Sequence, residues 1–306
     1  MRVKEFFHLA RASVAAWQDD RASSMGAAIA FYTVFSLAPL LIIVIAVAGF
    51  VWGEDAVRGE IIRQLGGLVG ADSASGVQNL IKSADQPAQG ITASVASVIV
   101  LIIGSTTVFA ELQSALDRIW KVPASASDGI WNTVRARLLS FGLVLGLAFL
   151  LLVSLILSAA LAALDQWSSG LFVGWELLLQ IVNALVSLSI ATVLFAMIYK
   201  FMPQAKIAWR DVWVGAIVTA VLFEVGKFLI ALYVGRSATI SSLTAAGSLV
   251  VVLIWVYYAA QVFLLGAEFT SIYARHYGSR AAIANEAAGT DMHGNEARGD
   301  GGMAPP

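Results

Sequence analysis

The sequence predicts an all-α polytopic membrane protein, a bundle of six transmembrane helices with an N-terminal amphipathic helix and a short outer helical hairpin. Three observations predict it. Apolar residues make up 59% of the 306-residue chain and charged residues only 13%, and the mean hydropathy is +0.81, a membrane composition. Stretches at about 27–51, 91–120, 134–164, 172–201, 211–234 and 243–273 are apolar and long enough to cross a hydrocarbon core about 30 Å thick at about 1.5 Å per helical residue. Lys and Arg fall mostly on alternate connections between them, the pattern by which a multi-pass chain sets its orientation.

Ahead of the first span, Val3, Phe6, Phe7, Ala10, Val14 and Trp17 recur at helical spacing, with Lys4, Arg11 and Gln18 on other faces. This stretch is expected to form an amphipathic helix, either on the cytoplasmic surface or packed against the bundle ends. The first apolar run extends from about Met25 to Trp52. That is too long for a signal peptide, so it is expected to be retained. Within it, Pro39 lacks an N–H and its ring crowds the carbonyl four residues back, predicting a helix kink. Tyr32 and Ser36 lie on the turns just before it and are placed to take the freed carbonyl.

From Gly53 to Gly90 the chain turns polar. Val57, Ile61, Leu65 and Leu68 make one short helical pattern; Val77, Leu80, Ile81 and Ala84 make another. Each is too short to span, so a helical hairpin over the outer end of the bundle is expected, closed by Pro87 and Gly90. The second span is apolar in its first half and then reads TTVFAELQSALDRIWKV from Thr106 to Val122. About 30 residues exceed the membrane thickness, so its C-terminal part is expected to protrude into the cytoplasm or line an opening there. Asp117 and Arg118 are expected either to be solvated on that protruding end or to line the opening; Glu111 lies deeper. In the third span Gly142 and Gly146 form a GxxxG pair that favours close approach of a partner helix.

The fifth span, DVWVGAIVTAVLFEVGKFLIALYV from Asp211 to Val234, carries Glu224 and Lys227 within a turn of its midpoint. One charge at a helix centre costs roughly 2.5–3.5 kcal/mol on insertion scales, so both must face protein, water or each other. Their i, i+3 spacing lets them pair. The sixth span holds Gln261 and Glu268. Residues 1–277 are therefore read as one membrane domain and 278–306, rich in Gly, Ala and isolated charges, as a disordered cytoplasmic tail.

Of the 19 Lys and Arg residues, Arg2, Lys4, Arg11 and Arg21 precede span one, and Arg118, Lys121, Arg135 and Arg137 surround the second connection. Lys200, Lys206 and Arg210 surround the fourth, and Arg275, Arg280 and Arg298 follow the last. Only Arg58, Arg63, Lys82 and Arg236 fall on the other side. Both termini are expected in the cytoplasm. A net charge of −1 offers no basic footprint for nucleic acid. The chain has no cysteine, and His8, His276 and His293 all lie outside the apolar segments. No metal or cofactor site is expected from this inventory.

Four blocks carry a family resemblance: AAIAFYTVFSLAPLL (Ala27–Leu41), Thr106–Val122, YKFMPQAKIAWRDVWVGAIVTAVLFEVGKFLIALYV (Tyr199–Val234) and SLVVVLIWVYYAAQVFLLGAEFT (Ser248–Thr270). In them the chain resembles the YihY/BrkB family of bacterial inner-membrane proteins. The resemblance implies a six-span inner-membrane protein. Members have been labelled ribonuclease BN, virulence factor or transporter, and it carries no catalytic residues over to this chain.

Three functions follow from these readings. The first is a transporter or a lipid or small-molecule translocase, using Glu224, Lys227, Glu111, Asp117, Glu268, Tyr32 and Ser36 among the helices, with membrane lipids as neighbours and a lipid or small polar solute as substrate. The alternative is an envelope scaffold in which Glu224 and Lys227 lock two helices. A ribonuclease is the least supported, because it needs a water-exposed metal or acid/base cluster and a basic RNA track.

Overall fold

The computed structural model describes residues 3–69, 74, 76–78, 107–123, 175–205, 207–236 and 245–279, and among these every regular element is a helix. The chain runs α1 (Val3–Asp19), α2 (Ala22–Trp52) and α3 (Glu54–Val69), then α4 (107–119). It continues through α5 (Trp175–Phe201), α6 (Trp209–Arg236) and α7 (Ala245–His276). The first half of the second expected span, the whole third span with Gly142 and Gly146, most of the second hairpin helix and the tail beyond residue 279 lie outside the described residues.

Length and apolarity make Ile181–Phe201, Trp209–Leu229 and Val250–His276 able to cross a membrane. The helix α2 joins them if its two arms, Ala22–Ala38 and Leu40–Phe50, count as one span bent by 46°. Residue 39, at the break, is a proline. The observed helices overrun the expected spans by a few residues: α2 begins at Ala22 rather than about 27, and α7 continues to His276.

One end of the bundle gathers the α1/α2 turn, the end of α4, the α5/α6 connection and the end of α7. Backbone angles set that turn: Arg21 takes a left-handed conformation, φ 54°, and its N–H bonds the Gln18 carbonyl at 3.1 Å. At the opposite end Gly53, φ 87°, donates to the Gly49 carbonyl at 2.8 Å and turns α2 into α3. Positive φ is inexpensive for glycine and costly for arginine. In α3, Val57, Ile61 and Leu65 pack with buried Ile45, Val77 and Val252, so the hairpin's first helix covers α2 and α7.

The apolar pattern of α1 divides in two directions. Leu9 is buried against Phe269 and Ile272 of α7, and Ser13 beside it is buried with its hydroxyl on the Leu9 carbonyl at 2.7 Å. Phe7 and Val14 point outward at 71% and 46% exposure. The helix therefore packs against the bundle end and also presents an apolar outer edge.

The helices α6 and α7 run antiparallel, and reciprocal glycine–threonine contacts set their separation. A Cβ on Gly215 would collide with Thr270, and one on Gly266 would collide with both Thr219 and the Tyr199 hydroxyl. Each threonine donates to the carbonyl of the glycine one turn earlier on its own helix, Thr219 to Gly215 at 2.8 Å and Thr270 to Gly266 at 2.7 Å. The hydroxyls are thus satisfied inside an apolar contact, and the two backbones approach closely. From α5, the fully buried Tyr199 donates to the Phe263 carbonyl at 2.7 Å, and its oxygen lies 3.0 Å from the Thr219 hydroxyl, bringing three helices together at one point.

Two outcomes follow. Tyr199→Phe removes the bond to the Phe263 carbonyl while keeping the ring, and should lower unfolding stability by about 1–2 kcal/mol, read as an earlier transition in detergent denaturation. Gly266→Leu forces the two helices apart and should cost more, about 1–3 kcal/mol for overpacking, read as loss of folded protein in the membrane fraction.

Candidate functional site

Glu224 and Lys227 sit one turn apart on α6, and their side chains form an ion pair at 2.6 Å. Burial does not seal it, since the two side chains keep 27% and 32% of their surface. The second Glu224 oxygen accepts a hydrogen bond at 2.9 Å from Ser187 of α5. Three polar groups from two helices therefore satisfy one another in the membrane-crossing part of the bundle. Tyr258 of α7 occupies the space a side chain on Gly226 would need, and its hydroxyl donates to the Leu222 carbonyl at 3.3 Å.

A second polar group lies at the end where the α1/α2 turn meets α7. Glu268 is fully buried, and among the described residues neither of its oxygens has a hydrogen-bond donor. Charged groups around it are Asp20, Lys121 and Arg275. Lys121 reaches Asp20 at 2.5 Å from the end of α4, where its own backbone is left-handed, φ 53°. Arg275 turns away to Ser271, bonding its carbonyl at 3.3 Å and its hydroxyl at 3.1 Å.

Asp117 and Asp211 hold this end together. The half-buried Asp117 accepts the Gln204 backbone N–H at 2.7 Å, so α4 anchors the α5/α6 connection. Asp211, 1% exposed, accepts the Ser279 N–H at 3.0 Å and its hydroxyl at 2.7 Å, pinning the chain after α7 to the first turn of α6. Asp117 and one oxygen of Asp211 are thus taken by backbone and hydroxyl donors, while the other Asp211 oxygen is buried without a hydrogen-bond partner among the described residues.

Of the candidate site residues singled out in the sequence, among the described residues Glu224 and Lys227 form a pair. The pairing of Gly215 with Thr270 and of Gly266 with Thr219 sets Glu268 about seven residues along α7 from the level of Glu224, roughly 10 Å at 1.5 Å per residue. Between them lies an aromatic layer: Phe195 packs against Tyr199 at 6.4 Å, Phe223 at 5.7 Å and Phe263 at 6.3 Å. On α2, Ser36 is buried while Tyr32 is exposed at 37%, with its ring edge-on to Phe31 at 5.6 Å. Glu111 is half-buried on α4.

Sequence reasoning missed Ser187, Asp20 and Lys121. Ser187 is one of several hydroxyls in an apolar helix, and nothing local distinguishes it. Asp20 and Lys121 read as ordinary connection charges because 101 residues separate them. Among the described residues no group of three or more His, Asp or Glu side chains is placed to hold a metal ion.

Comparison with known proteins fits a membrane bundle. A family model described as virulence factor BrkB matches residues 13–290. The UPF0761 membrane protein of Ralstonia nicotianae is 28% identical over 258 residues, covering 83% of this chain and 56% of the relative. That of a Psychrobacter species is 24% identical over 268 residues, covering 87% and 48%. A third, from Klebsiella pneumoniae, is 31% identical over 171 residues, covering 56% of each. The chain thus spans about half the length of the curated relatives it matches. No solved structure matches. A single match running from within α1 to beyond α7 takes in the helices that carry both polar groups, and on it the chain belongs to the virulence factor BrkB family of membrane proteins.

Proposed function

We propose that this chain is a multi-pass protein of the bacterial inner membrane, with both termini cytoplasmic, that translocates a lipid headgroup or a small polar solute. The observation that supports it is the incomplete burial of the Glu224–Lys227 pair, at 27% and 32% side-chain exposure, on a helix long and apolar enough to cross a membrane. A charged pair left partly exposed on such a helix is tolerated best where water or a polar ligand meets it rather than lipid tails. Glu224 and Lys227, oriented by Ser187, would present an acceptor and a donor to a zwitterionic or polar group. Orientation rests on the charge bias. Arg21, Lys121, Lys200, Arg210 and Arg275 lie on the turns and helix ends gathered at one end of the bundle, the one we assign to the cytoplasm.

A second reading is favoured by the same geometry. Because Lys227 and Ser187 both bond Glu224, the trio can act as a closed packing device that locks α5 to α6, and the chain then serves as an envelope scaffold. Catalysis, including RNA cleavage, is the reading with least support. We take no nucleic acid as partner, on the −1 net charge.

Two measurements separate these readings. Purified chain in proteoliposomes containing fluorescent phospholipid should raise the fraction of label bleached by an impermeant reductant. Glu224→Gln should abolish that rise without lowering the amount of protein incorporated. The second is membrane abundance across a double-mutant cycle. Lys227→Met leaves Glu224 without its cation and should lower membrane abundance, because an uncompensated charge remains among the helices, and Glu224→Gln with Lys227→Met should restore abundance. Translocation that stays absent in the restored double mutant supports a transport site; equal translocation by wild type and double mutant sinks it and leaves the scaffold.

A further inference from the structure

The group around Glu268 poses a hydrogen-bonding problem that the surrounding residues do not solve. Glu268 is fully buried, and among the described residues no donor reaches either oxygen. Its neighbour within hydrogen-bonding reach is the Asp20 carboxyl from the α1/α2 turn. Two ionised carboxylates cannot bond each other, since both are acceptors only. The cations do not resolve it. Lys121, from the end of α4, is bonded to Asp20 at 2.5 Å. Arg275, two turns along α7, is bonded to Ser271. Lys121 bonds Asp20 while Glu268 has no donor, so a proton on Glu268 is what lets the two carboxyls bond each other.

We infer that Glu268 and Asp20 form a proton-binding site, in which a proton carried on Glu268 is donated to the Asp20 carboxylate and Lys121 balances the charge. A buried ionised carboxylate without donors is among the least favourable arrangements in a protein interior, whereas a carboxylic acid bonded to a carboxylate is satisfied on both sides. Asp20 keeps 14% of its side-chain surface, so it is the route by which the site exchanges protons with its surroundings. The Phe195, Tyr199 and Phe263 layer separates it from Glu224. The inference stands whether or not the chain translocates a substrate; with translocation, the site supplies a coupling ion.

Infrared spectroscopy of the purified full chain tests the site without a transport assay. At neutral pH the wild type should show a carboxylic-acid C=O band that moves in heavy water, disappears in Glu268→Gln and shifts in Asp20→Asn. Glutamine keeps the shape and donates to Asp20, so Glu268→Gln should unfold at the wild-type temperature. If that variant fails to accumulate, labelling wild type with carboxyl-13C glutamate should move the band and labelling with aspartate should not. The absence of an acid band at neutral pH, or a band indifferent to glutamate labelling, overturns the inference. So does stabilisation of wild type by sodium or potassium ions that Glu268→Gln abolishes, because a metal cation then occupies the place of the proton.

Discussion

The closeness of α6 and α7 is the constraint on which the other features depend. Without a solvent-driven hydrophobic effect between helices in lipid, association rests on close packing and on hydrogen bonds within the contact. Glycine facing threonine on both helices allows that approach, and the two threonines satisfy themselves on their own backbones. Tyr199 then adds α5 by filling the hollow left at Gly266 and bonding the Phe263 carbonyl. Separating the pair by one methyl group displaces Tyr199 and, through it, the aromatic layer that divides the two polar groups.

That layer gives the molecule a vertical order. Above it the Glu224–Lys227 pair is balanced in charge and about a third open to its surroundings. Below it the Glu268 group is closed by the α1/α2 turn, the end of α4 and α7 itself. An ion pair in a membrane tolerates partial exposure only where something polar meets it, whereas a buried carboxyl is tolerated only where its protons and donors balance. The two groups obey different rules because they sit at different depths and among different neighbours.

The closed end also explains why charges that look incidental are ordered. Asp117 and Asp211 each hold a backbone N–H of a connection, so the α5/α6 loop and the chain after α7 are positioned by carboxylates rather than by apolar packing. Lys200 lies over the Trp209 ring at 5.6 Å and donates to the Ile207 carbonyl, fixing the same loop from its other side. The left-handed backbones of Arg21 and Lys121 bring Asp20 and Lys121 within bonding distance, a local strain sustained by the packing around it.

Composition and periodicity by themselves determined that the chain is helical and lives in a membrane, because apolar length and the scarcity of charge are sums over residues and need no partner. They also marked Glu224 and Lys227, since a charge amid apolar residues is conspicuous at any fold and an i, i+3 spacing is a local distance. The face that α1 turns to the bundle was not legible, because Leu9 and Phe7 are equally apolar and only α7 distinguishes them. Nor was Ser187, or the meeting of Asp20, Lys121 and Glu268, residues from three distant parts of the chain. Which polar groups share a site is a property of helix order and crossing, and those are set by Gly215, Gly266 and Tyr199 acting across helices, where no sequence window reaches.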